Sequence, residues 1–415
     1  MMRKHDGFTL IELMIAMVVF MFAIVAATGI FIPLVRQFKQ QSKITETNIE
    51  GVVGLELLRG DLEQAGFGLP FYFQDDTKIN YTEAANDPAK KYNDATPDAP
   101  RAIVAGNNVN FANIVNSSDY LVIKSIAVAK SDTAHKWTSI AAVPGTVPRK
   151  WDDSSYNLQD NMDRVIVIKP KAGDMKVKEL VMDDTKFFTK YSEASFPANF
   201  SPQHPTTNPQ EAYLIYGVDP TYDLKMPFNR ADYYVGIPNN TPLFPGALPT
   251  RCAAGTGVLM KAVLSHKAGV DFASQNVTPV LDCVADMQVV FGLDMGSAGG
   301  GTDPNGVIGT YTNPDGSTIV GGLAEDEGKS QADVQKVLSS ASELRSRLVE
   351  IRVYLLAHEG QRDPNYTFNN FTCGLNCITV GDFGCGRSFI LPPDWKNYRW
   401  KVYTLVVMPQ NVRYK

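Results

Sequence analysis

Glu12 is a lone carboxylate at the margin of a long uncharged run, and charge pairing is the chemistry it offers. No charged residue occurs from Leu13 through Val35. A run of that length spans a bilayer core of roughly 30 Å at about 1.5 Å per residue. A carboxylate beside such a run is costly unless a cation meets it. The second reactive set is five cysteines, Cys252, Cys283, Cys373, Cys377 and Cys385. In an exported domain they oxidise, and an odd number leaves one unpaired or intermolecular. The spacing leaves the pairing open. Cys373, Cys377 and Cys385 flank a Gly-rich loop and read as a disulfide staple. Zinc fits them poorly, since no His lies beside them.

Catalytic arrangements find little footing. His5, His135, His204, His266 and His358 are isolated from one another, and none begins a metal or nucleophile motif. Cys385 in Gly-Cys-Gly could pair with His358, but no third orienting residue stands at a recognisable spacing. Asp303, Asn305 and Asp315 could offer oxygens to calcium. An EF-hand-like loop needs several carboxylates and a late Glu, however, so Asp-Pro-Asn-Gly and Asn-Pro-Asp-Gly read as β-turns. Neither a phosphate-binding Gly-Lys-Thr loop nor a dinucleotide fingerprint occurs. The chain reads as non-enzymatic, without cofactor or metal.

The element that must carry Glu12 is a helix. Arg3 and Lys4 precede it and orient its N-terminus toward the cytoplasm. Beyond Val35 the sequence turns polar yet stays helix-compatible, and Val52, Leu55, Leu58, Leu62 and Ala65 form one apolar stripe. Gly29 and Pro33 should bend or loosen the rod. Gly66, Gly68 and Pro70 end it. The expected helix therefore runs from residue 8 to 65, with an apolar part (8–35) and an amphipathic part (36–65).

Strand signals dominate the remainder of the chain. Runs rich in Val, Ile, Leu and Tyr begin at Asp119, Asp163, Val177, Glu211, Val258, Pro279, Arg347 and Tyr398, each bounded by turn residues. Without helical spacers they predict a mostly antiparallel sheet. One later helix is expected between Glu325 and Leu348. The polar stretches 72–118 and 184–210 read as surface insertions. The fold class is α+β: a long N-terminal helix packed on an antiparallel β head, divided into a part with insertions (66–250) and a part with the cysteines (251–415). Charged residues are 20 % of the 415 and the net charge is −5. Nucleic-acid binding is not expected, because it needs a concentrated positive face.

Gly7-Phe8-Thr9-Leu10-Ile11-Glu12-Leu13 resembles the processing site of type IV pilins and type II secretion pseudopilins. The resemblance implies a leader (1–7), cleavage between Gly7 and Phe8 by prepilin peptidase, and N-methylation of Phe8. Cleavage on this side retains the helix, unlike ordinary secretory processing. Glu12 would then pair with the Phe8 amine of a neighbouring subunit, fixing register more than adding stability. The segments TPVLDCVADMQVVFGLD (from Thr278), ELRSRLVEIRVYLLAH (from Glu343) and DWKNYRWKVYTLVVMPQNVR (from Asp394) are similar to the PilW branch of minor pilins, itself similar to J-type minor pseudopilins.

That resemblance implies a minor pilin that takes part in initiating, and in capping, a type IV pilus. The implied partners are prepilin peptidase, other minor pilins and the major pilin, and indirectly the assembly platform and its ATPase. The implied place is the inner membrane with a periplasmic head, then the pilus on the cell surface. Two alternatives stand beside it: a secretion pseudopilin, and a tip adhesin whose insertions hold a ligand.

Overall fold

The computed structural model describes residues 9–73, 78–94, 99–141, 147–171, 174–202, 212–241, 243–267, 276–296, 304–317, 319–321 and 330–412. Helix α1 (Leu10–Glu63) opens the chain, with Thr9 as its N-cap and Pro33 inside it. It stops where Gln64 donates its N–H to the carbonyl of Gly60. Gly66 (φ +79°) and Gly68 (φ +67°) then turn the chain away through left-handed backbone, which glycine adopts without steric cost.

A mostly antiparallel β head comes next, built on two principal sheets. The larger contains β2 (Ile103–Val109), β3 (Ser118–Ser125), β9 (Asn229–Gly236), β10 (Gly257–Val263), β11 (Val277–Leu293), β12 (Thr310–Thr312), β13 (Ile319–Gly321), β14 (Leu348–Glu359) and β17 (Arg399–Val407). The smaller contains β1 (Tyr72–Phe73), β4 (Trp137–Ala141), β5 (Arg164–Lys171), β6 (Asp174–Leu180), β7 (Thr189–Lys190) and β8 (Ala212–Asp219). A separate hairpin pairs β15 (Cys377–Val380) with β16 (Arg387–Ile390). The β1–β6 pair is parallel; the other strand pairs among the described residues are antiparallel.

Strand β11 organises the large sheet. Its first half pairs with β10, and its second half pairs with β12 and β14. Between the two halves Cys283 adopts a positive φ of 58°, and the register to β14 shifts between Val284 and Asp286. The principal core lies against this sheet and includes Leu58, Leu62 and Ala65 at and just beyond the end of α1. A second cluster, around Tyr354, Leu356, Ile378 and Trp400, joins the sheet to the 366–398 segment. A third fills the small sheet around Val165, Val167 and Ile215.

Three expectations need correction. The single helix between Glu325 and Leu348 is two short ones, α2 (Gln331–Ser339) and α3 (Ala341–Arg347), with residues 325–329 outside the described set. Ser340 leaves the helical region (φ −104°, ψ 127°) and its side chain accepts from the Glu343 N–H. A serine that caps a new helix ends the previous one. The stretch 72–118 is not all surface: it holds β2, and Ile79, Tyr81 and Ala84 enter the core. The stretch 184–210 likewise sends Tyr191 and Phe200 into the small-sheet core. Isolated aromatics and aliphatics in polar sequence carry no periodicity, so burial of these segments is decided by packing partners far away in the chain.

Candidate functional site

The N-terminal helix and its seat on the head form the most distinctive arrangement in the chain. Every residue from Thr9 to Leu34 is exposed, including Phe20, Phe22 and Phe31. By length and composition this helix can cross a membrane. A rod that is apolar on all sides requires either lipid or other apolar helices around it.

Thr9 and Glu12 finish the N-terminus of that rod. The Thr9 backbone N–H donates to Glu12 Oε2 at 3.0 Å, and its hydroxyl donates to the same oxygen at 2.8 Å. The Glu12 N–H donates back to Thr9 Oγ1 at 3.4 Å. This is a reciprocal capping box, Thr-x-x-Glu, which satisfies N–H groups that have no helical acceptor. The resemblance implies an intermolecular partner for Glu12; within one chain its carboxylate serves the local cap. Gly7 and Phe8, the expected cleavage and methylation positions, lie outside the described residues.

The second half of α1 docks on β11, β14 and β17. The buried face is Thr47, Gly51, Leu58, Asp61 and Leu62, with Leu55 half-buried. The expected stripe is correct at Leu58, Leu62 and Ala65. It is corrected at Val52, which points outward and is exposed. Two glycines cause the rotation. A Cβ on Gly51 would approach Leu281 Cδ1 to 3.2 Å, and one on Gly54 would approach the Val280 carbonyl oxygen to 1.8 Å. The helix therefore presents its glycines, not its valines, to the sheet.

Polar bonds pin the same seam. The Gly360 N–H donates to Thr47 Oγ1 at 3.1 Å. Arg251 bridges Glu50 on the helix and Asp282 on β11, with both contacts at 2.6 Å. Deeper in, Asp61 accepts from the Tyr233 hydroxyl and the Lys261 ammonium, each at 2.6 Å. A charge pair this buried specifies position more than it adds stability. Head and helix thus form one lever from about Thr47 onward, while residues 9–34 all stay exposed.

The cysteines lie apart from the helix tip. Cys252 bonds to Cys283 and Cys373 to Cys377. Cys252–Cys283 ties the segment carrying Arg251 to β11, beside the helix seat. Cys385 is a buried free thiol, and burial, helped by Asp382, pushes its pKa up to about 11. His358 is engaged elsewhere, its Nε2 accepting the Ala253 N–H at 2.9 Å. Among the described residues no cluster of three His, Cys, Asp or Glu has metal-binding geometry. Asp294 accepts from the Gly296 and Gly306 N–H groups, and Asp315 from Ser317 and Asn107; Asp303 lies outside the described residues.

One group escaped sequence reasoning. Lys124, Glu83, Arg230 and Asp232 are fully buried or nearly so. Lys124 pairs with Glu83 at 2.9 Å and also contacts Asp94, while Arg230 pairs with Glu83 at 2.8 Å and Asp232 at 2.7 Å. The network fastens residues 83–94 onto β3 and β9. The available signal was a cation or acid inside otherwise apolar strands, since such groups are buried only with partners.

No curated protein and no solved structure matches the chain. The family model described as the prokaryotic N-terminal methylation motif matches residues 2–28, so the N-terminus carries the N-methylation motif of prokaryotic prepilin-type proteins.

Proposed function

We propose that the protein is a minor pilin that takes part in initiating, and in capping, a type IV pilus. The observation that carries this reading is the division of α1: residues 9–34 are wholly exposed and, Glu12 aside, uncharged, whereas residues from Thr47 onward are fastened to a large head. In this reading the first part sits in the inner membrane and then in the filament core, with the head on the periplasmic side. Prepilin peptidase cuts between Gly7 and Phe8, and Phe8 is methylated. Cleavage removes the peptide bond ahead of Phe8 and creates a cationic amine four residues before Glu12. The carboxylate that caps its own helix is then positioned to pair with a neighbour's amine during assembly. Other minor pilins, the major pilin, the assembly platform and its ATPase are the partners of this step.

A head this large would crowd a thin filament if repeated along it, which favours a terminal position. The proposal assigns no reaction to the chain. Deletion in the native host tests it: loss of surface pili and twitching is expected, with protein export intact. Intact pili with failed export would favour a secretion pseudopilin instead. Glu12→Val should still be cleaved yet fail to co-purify with other minor pilins; co-purification at wild-type yield counts against the assigned role of Glu12.

A further inference from the structure

Strand β4 and the 149–157 segment place two indoles and a phenol around one open surface cavity. His135, Lys136, Trp137, Trp151 and Tyr156 line it, and its volume is about 270 Å³. The Trp137 and Trp151 rings stand 74° apart with centroids 5.2 Å from each other. Trp151 Nε1 donates to the Trp137 carbonyl at 2.8 Å. Asn157 holds the Trp151 backbone from both sides: it accepts the Trp151 N–H at 2.8 Å and donates to the Trp151 carbonyl at 2.9 Å. These bonds preorganise the walls. Trp137 is nonetheless 38 % exposed and Tyr156 62 % exposed. Amphipathic rings held rigidly yet left in water mark a contact surface.

The surrounding charges narrow the ligand. No carboxylate is among the described lining residues. Lys136 is one of the lining residues, and the Arg149 guanidinium lies 4.4 Å from the Trp151 ring centroid. Asp152 and Asp153 of the same segment are outside the described lining, and Asp153 caps the turn that carries Tyr156. A quaternary ammonium would meet like charge and a ring face that Arg149 already covers, so a cation cage is disfavoured. A nucleic-acid strand wants a continuous basic groove with stacking platforms, whereas this chain has a net charge of −5. A pyranose fits both features. Its C–H face can stack on the Trp137 indole, the ring that Arg149 leaves open, and its hydroxyls can bond His135 and the Tyr156 hydroxyl. A ring carboxylate pairs with Lys136 and Arg149. The volume lies just below the range of roughly 300–1,000 Å³ that holds drug-sized ligands, which suits one sugar ring of a longer chain.

We propose that the cavity walled by Trp137, Trp151 and Tyr156 binds one acidic pyranose, a uronic acid residue of a glycan. This reading is independent of whether the chain enters a pilus. Isothermal titration calorimetry on the detergent-solubilised full chain tests it, with tetragalacturonate as the probe. Maltotetraose, choline and oligothymidylate are the comparison ligands. Saturable binding of tetragalacturonate is expected, with the three others at least about tenfold weaker. Trp137→Ala and Tyr156→Ala should each weaken it about tenfold, the factor given by losing one ring contact. Tyr156 is exposed enough that its replacement leaves the fold intact, so a misfolded Trp137 variant does not stall the test. Absence of heat with tetragalacturonate, unchanged affinity in Tyr156→Ala, or equal or tighter binding of any comparison ligand would overturn the proposal.

Discussion

Gly54 of α1 meets the carbonyl oxygen of Val280 in β11 so closely that a methyl group at position 54 would lie 1.8 Å from that oxygen. Helix and sheet therefore touch backbone to backbone at this point, and the lever that joins rod to head depends on the missing side chain. Gly51, one turn earlier, extends the same contact toward Leu281.

Gly54→Ala should lower the stability of the detergent-solubilised chain by about 2–3 kcal/mol, because the contact is backbone and cannot rotate aside. Gly60→Ala is the control. No atom lies within 4 Å of a Cβ there, so it should be neutral or gain up to about 1 kcal/mol from helix propensity. Urea unfolding of both variants checks this; equal effects at the two positions would deny the close approach.

Acid should weaken the head through two buried histidines. Burial holds His266 at a pKa of about 4 and His358 at about 4. His266 Nδ1 accepts the Lys225 N–H at 3.2 Å, while its Nε2 faces Asn229 Oδ1 at 3.0 Å. Asn229 in turn donates to two backbone carbonyls, so its oxygen is left for the ring. Protonating Nδ1 would set two donors against each other. The folded pKa is below the unfolded value of about 6.5. Between about pH 6.5 and 4 the unfolded chain therefore binds protons that the folded chain refuses. The contribution is complete above about 6.5 and is lost as pH falls toward 4, by up to roughly 3 kcal/mol per histidine. His266→Gln should flatten the stability-versus-pH slope across that interval; an unaltered slope contradicts the assignment.

The two disulfides should contribute unequally. Cys252–Cys283 spans 31 positions and Cys373–Cys377 only 4. Loop-closure entropy gives about 3–4 kcal/mol for the first and about 2 kcal/mol for the second. Cys252→Ser with Cys283→Ser should therefore lower the urea midpoint further than Cys373→Ser with Cys377→Ser. The first pair should also loosen Arg251 from Glu50 and expose α1 to protease near Glu50. A larger loss from the short loop would mean that strain or residual structure outweighs chain entropy here.

Legibility from sequence tracked the range of the forces involved. The rod was readable because uncharged length and the Gly7–Leu13 motif are local. So are β3, β5, β6, β8, β10, β11, β14 and β17, whose Val, Ile and Leu runs declare themselves. Strand β9 is hidden, since Arg230 and Asp232 look like surface residues until they pair with each other and Glu83, far away in the chain, adds a second carboxylate to Arg230. Strand β2 was hidden within a polar stretch for a similar reason. The helix face was misjudged at Val52 because apolar spacing predicts side-chain packing, whereas this seam uses Gly51 and Gly54 as contacts. The Thr9–Glu12 cap is fully local and legible as Thr-x-x-Glu.

The central claim is that the chain is a processed, filament-forming rod with a docked head. Intact-mass and N-terminal peptide analysis of the protein isolated from membranes of its native host tests this most directly. The account predicts a mature chain that begins at N-methylated Phe8 and retains the whole apolar helix. A chain that still carries Met1–Gly7, or one cut beyond Val35, would contradict it.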